Sequence, residues 1–129
     1  AGAVFVEKDL KNIRVIRDNL AVTGLEEKAR IIHQDVGKAL FMLGPEGQVF
    51  DLVFMDPPYL KDLEQGALEG IIRHGLLDPG GMVVVESSSK DRLPQKVATL
   101  NLTRQEKYGD TVLSFYHYFE QNTGEGNKV

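Results

Sequence analysis

The chain has 129 residues, a formal net charge of −4, 42% hydrophobic and 26% charged residues, and no cysteine. One domain with a single hydrophobic core is the usual solution at roughly 100–150 residues, and no apolar run approaches the ~20 residues that span a membrane. Disulfides and thiolate metal sites are excluded, and His33, His74 and His117 are too scattered for a zinc motif. The acidic balance gives no overall attraction to a polyanion, against which two local clusters stand out: Lys90, Arg92 and Lys96, and Arg104 and Lys107.

In chain order, Ala3–Val6 is short and apolar, which predicts a strand. From Asp9, the spacing of Leu10, Ile13, Ile16 and Leu20 predicts a helix capped by Asp9 and stopped at Gly24. Residues Arg30–His33 read as a second strand and Val36–Leu43 as a short helix ended by Gly44-Pro45. Phe50–Met55 reads as a buried parallel strand, terminated by Asp56-Pro57-Pro58-Tyr59 because proline cannot continue a ladder. Residues Leu63–Leu77 have helical spacing and lead through Asp78-Pro79-Gly80-Gly81 into the strand Met82–Glu86. Ser87–Leu93 is polar. Leu102–Tyr108 and Thr111–Phe119 then flank Gly109-Asp110 as an antiparallel hairpin, and Gln121–Val129 reads as a frayed tail. Alternating strands and helices predict an α/β, doubly wound fold: one mostly parallel sheet covered on both faces, with the hairpin at one edge.

Ligands in such sheets bind beyond the carboxyl ends of the strands, which draws attention to Glu7, Asp35, Asp56–Tyr59 and Glu86. A carboxylate at Glu7 can accept both hydroxyls of a ribose, although it suits an exposed helix approach equally well. Asp35 can accept from an adenine amino group, and it is also a favoured helix N-cap. The tetrapeptide is more telling. Two prolines remove two backbone donors at the sheet's functional edge, leaving carbonyls and the Asp56 carboxylate facing outward. Acceptors from Asp56 and the Pro57 carbonyl suit the two hydrogens of a planar exocyclic amine, whose lone pair must be freed before it can take a methyl group. Tyr59 would stack on the base, which must be unpaired or flipped out to be reached.

The sequence FDLVFM-DPPY resembles motif IV of amino-group methyltransferases with the seven-stranded, Rossmann-like fold. Together with VFVEKD, HQD, LDPGGMVVVES and KYGDTVLSFYHY, it is similar to the bacterial small-subunit (16S) ribosomal RNA guanine-N2 methyltransferases, from Ala1 to about Phe119. DPPY is shared by several substrate classes, whereas the YGDT hairpin points to this family. The resemblance implies S-adenosylmethionine as cofactor, no metal, a cytoplasmic setting, and ribosomal RNA or a small-subunit particle as partner. Glu7 then matches the ribose-binding acid, Asp35 the residue near the adenine ring, and Asp56, Pro57, Pro58 and Tyr59 the catalytic tetrapeptide. Glu86 is a further pocket position.

The family's glycine-rich turn for the methionine part of the cofactor, the strand before it and a basic N-terminal region for RNA are not matched in this sequence. The expectation is an N-terminally truncated domain, inactive alone. Its missing strand would lie between the strand ending at Glu7 and the one ending at Asp56, leaving open edges for a partner or a second copy to fill. Adenine-N6 DNA methylation uses the same tetrapeptide but calls for a separate recognition domain, and glutamine methylation resembles Asn at position 56.

Overall fold

The computed structural model describes residues 2–56 and 61–118, which form two compact units divided between Glu46 and Gly47. In the first, strands β1 (Ala3–Glu7) and β2 (Ala29–His33) form a parallel pair in the register Ala3↔Ala29 to Glu7↔His33. Parallel strands need a crossover, supplied here by helix α1 (Leu10–Thr23) and one turn of 3-10 helix at Glu26–Lys28. The local chemistry sets the ends of α1. Asp9 accepts a hydrogen bond from the Lys11 N–H (2.9 Å) as N-cap. At the other end, Gly24 takes the left-handed conformation (φ 72°), and the N–H of Leu25 returns to Leu20 O (3.0 Å). Helix α2 (Val36–Leu43) follows β2, and Ile13, Ile32, Ala39 and Leu43 are buried. Arg30 and Glu46 form a bidentate ion pair (2.6 and 3.0 Å); hydrogen bonding to the guanidinium holds the Glu46 carboxyl below its usual range.

In the second unit a five-stranded sheet has the order β3-β4-β7-β6-β5. Its strands are β3 (Phe50–Met55), β4 (Leu77–Ser88), β5 (Lys96–Val97), β6 (Leu100–Tyr108) and β7 (Thr111–Tyr118), and helix α3 (Lys61–Arg73) connects β3 to β4. β3 pairs with β4 in parallel, while β4–β7, β7–β6 and β6–β5 are antiparallel. The buried core draws on Ala67, Leu68 and Ile71 of α3, Val83–Val85 of β4, and Val97, Leu100 and Tyr116.

Three differences from the sequence reading bear on the site. Helix α3 stops at Arg73 rather than reaching Leu77. Gly75 adopts a positive φ (66°), the N–H of Leu76 closes on Ile71 O (3.0 Å), and Leu77 joins the sheet opposite Phe50. The Asp78–Gly81 turn is a bulge inside β4, because Phe50 pairs with Leu77 whereas Leu52 pairs with Met82. Finally, β3 is not buried: Leu52 and Phe54 are each 57% exposed. Being two residues apart, they share one face of the strand. Among the described residues β3 pairs only with β4, and β1 only with β2, so each keeps one open edge.

Gly81 is required by the bulge, since a Cβ there would lie 2.6 Å from Leu77 Cδ1, 2.9 Å from Asp78 O and 3.0 Å from Asp51 O. Two of those neighbours are backbone and cannot swing away. Gly81→Ala is expected to destabilise the protein by about 1–3 kcal/mol, read as a lower urea midpoint at unchanged slope; an unchanged midpoint would show that the bulge relaxes freely.

Candidate functional site

Glu7 and Asp35 lie at the same end of the first unit, because β1 and β2 run in the same direction and Glu7 stands opposite His33. The Gln34 N–H donates to Glu7 O (3.1 Å), which extends the pairing by one residue and places Asp35 just past the strand end. Both carboxylates do local structural work. Glu7 Oε2 accepts from the Asp9 N–H (2.9 Å), and Asp35 Oδ1 accepts from the Lys38 N–H (3.0 Å) as the N-cap of α2. The second oxygen of each takes part in no hydrogen bond among the described residues. Beside Asp35 lies an open, mainly apolar depression of about 560 Å³ lined by Gln34, Gly37, Lys38, Phe41 and Met42. Two carboxylate acceptors at one strand end, one of them beside an apolar surface, fit the hydroxyl and amino donors and the flat ring of a nucleoside.

Asp56 is exposed at the carboxyl end of β3 in the second unit. Met55 pairs with Val85, so Asp56 emerges alongside Glu86 at the matching end of β4. The hairpin tip reaches the same end, because Ser88 pairs with Thr111. Gly109 supplies the positive φ (62°) that this turn needs. Ser87, next to Glu86, has a buried hydroxyl with no hydrogen-bond partner among the described residues. The sequence reading did not single it out, since a serine after a strand carries no signal of its own. Pro57, Pro58 and Tyr59 lie outside the described residues. No cluster of His, Asp or Glu suited to a metal ion occurs among the described residues, and no helix there is long and apolar enough to cross a membrane.

Comparison with known proteins places the chain in a family. Residues 1–117 fit the family described as Conserved hypothetical protein 95. The chain belongs to this family. Its relatives include the Bacillus subtilis protein named "Putative rRNA methyltransferase YlbH", 31% identical over 113 residues, covering 88% of this chain and 61% of that one. The Escherichia coli protein named Ribosomal RNA small subunit methyltransferase D is 26% identical over 127 residues, covering 98% and 62%. The chain thus spans about three fifths of the length of these two relatives. A solved Streptococcus pyogenes structure described as a conserved hypothetical protein superposes with a TM-score of 0.84 at 31% identity, covering 96% of this chain and 76% of that one. A Podospora anserina methyltransferase superposes at 0.69 with 18% identity, covering 93% and 62%. The α/β fold of this family is therefore the Rossmann-like methyltransferase fold, with parallel and antiparallel strands in its sheet.

Because Asp35 caps α2, Asp35→Ala is expected to cost about 1 kcal/mol of stability in denaturant unfolding. Asp35→Asn, which retains a capping oxygen, should cost much less. Equal losses would show that the cap contributes nothing.

Proposed function

We propose that the protein, as part of a methyltransferase domain, methylates the exocyclic N2 of a guanine in 16S ribosomal RNA, with S-adenosylmethionine as methyl donor. The observation that carries this reading is the exposed Asp56 carboxylate at the carboxyl end of β3, immediately before Pro57-Pro58-Tyr59, in a chain of this family. The names of the Bacillus and Escherichia relatives, which both refer to rRNA methylation, support the substrate class.

When bound, the cofactor supplies an electrophilic methyl group on a sulfonium. Glu7 would hold its ribose hydroxyls, and Asp35 its adenine amino group over the neighbouring apolar depression. Asp56 would accept one hydrogen of the guanine amine and the Pro57 carbonyl the other, which would free the nitrogen lone pair from the ring for methyl transfer. After transfer, Asp56 would take the proton that the amine loses. Tyr59 would stack on the unpaired base. A cytoplasmic setting, and ribosomal RNA or a small-subunit particle as partner, belong to this reading. The open edges of β1 and β3, and a sequence without the glycine-rich turn, support the proposal that these residues act together with a further segment.

The test is transfer of a labelled methyl group to undermodified small-subunit ribosomal RNA, using this chain alone and joined to the upstream segment that the sequence resemblance implies. Only the joined form should label RNA, and Asp56→Ala in that form should lower turnover at least ~10²-fold, the usual scale for losing one group that stabilises a transition state, while cofactor affinity is nearly unchanged. Retained turnover in Asp56→Ala removes Asp56 from the mechanism.

A further inference from the structure

We infer that the cleft between residues 89–95 and strand β6 binds the phosphodiester backbone of the RNA, with Lys90 and Arg92 as its phosphate ligands; this rests on the reading of the protein as an RNA methyltransferase. The cleft measures about 420 Å³, and its lining includes Ser89, Lys90, Arg92, Gln95 and Gln105. It lies in the same unit as Asp56 and at the same end of the sheet, because β4 runs parallel to β3 and leads directly into its wall. An RNA strand offering an unpaired base at Asp56 must pass its neighbouring phosphates over this end.

The wall of the cleft is held in place at several points. The Ser89 N–H donates to Asp110 O (2.7 Å), tying the turn to the hairpin tip. The Lys90 N–H donates to Ser88 Oγ (3.1 Å) and the Asp91 N–H to Ser88 O (3.0 Å). The segment's far end is fixed by Tyr116, a buried side chain whose hydroxyl donates to Pro94 O (2.7 Å), and by the Leu102 N–H donating to Gln95 O (2.8 Å). A rigid backbone therefore presents two exposed cations, Lys90 and Arg92.

Neither cation forms an ion pair or side-chain hydrogen bond among the described residues. The one carboxylate in the lining, Asp91, accepts from the Ser88 N–H (3.4 Å) and so turns towards its own loop. In a chain of net charge −4, two unneutralised cations on a rigid, polar cleft form a local site for a polyanion. Arginine's planar fork matches a phosphate bidentately, and lysine adds a point charge. Tyr108, 62% exposed at the hairpin tip, offers an aromatic face at the same end for an unpaired base. Such backbone contacts set the position of the strand and carry no sequence information.

The experiment compares the chain joined to its upstream segment with the Lys90→Ala/Arg92→Ala variant of that joined form for binding of a fluorescent single-stranded RNA by anisotropy, at several salt concentrations. Each phosphate contact to a single strand contributes roughly 0.7 to the slope of log affinity against log salt, so the variant's slope should shrink by about 1.4. The loss should be the same for RNAs of different sequence, and Lys90→Arg/Arg92→Lys should restore the slope. Binding by the unsubstituted joined form with an unaltered slope in the alanine variant overturns this inference alone. No RNA binding by the unsubstituted joined form overturns the RNA-methylation reading and the inference with it.

Discussion

Parallel pairing is the constraint from which the candidate site follows. Two strands that run in the same direction bring their carboxyl ends together, and the register decides which side chains meet there. Glu7 opposite His33 puts Glu7 and Asp35 at one strand end, and Met55 opposite Val85 does the same for Asp56 and Glu86. The antiparallel register of β7 on β4 then adds the hairpin tip, through Ser88 opposite Thr111. Acidic side chains separated widely in sequence are collected at strand ends by hydrogen-bond geometry alone, with helices supplying the return path.

The same geometry makes the open edges of β1 and β3 informative. An unpaired strand edge exposes backbone N–H and C=O groups that elsewhere in a sheet are satisfied by a neighbour. In β3 the open edge coincides with an apolar face, where Leu52 and Phe54 stand exposed. At roughly 25 cal/mol per Å² of apolar surface, covering two such side chains is worth a few kcal/mol to whatever segment packs on that face.

Much of this was legible in the sequence, where local chemistry and tertiary structure agree. Helix α1 begins after Asp9 and ends at Gly24, as the cap and the glycine imply, and α2 follows its cap Asp35. The strand Phe50–Met55 has the bounds that its apolar run and the prolines suggest. Other features had no local signature. Leu76 and Leu77 continue the apolar spacing of α3, and only the positive φ of Gly75 with the pairing of Leu77 to Phe50 ends that helix at Arg73. Strand β5 is two residues long, too short for any periodicity, and exists because β6 pairs with it. The apolar run of β3 suggested burial, but burial depends on neighbours that no run of six residues can specify. The candidate carboxylates stand out by their place after strands, and the capping of α2 by Asp35 uses one of its two oxygens.

The central claim is that the acceptors at the end of β3 are matched to the amino group of guanine in RNA. The most direct measurement is nucleoside mass spectrometry of undermodified 16S ribosomal RNA after reaction with S-adenosylmethionine and the chain joined to its upstream segment. The account predicts N2-methylguanosine as the product. N6-methyladenine formed in duplex DNA, with the ribosomal RNA left unmodified, would contradict it.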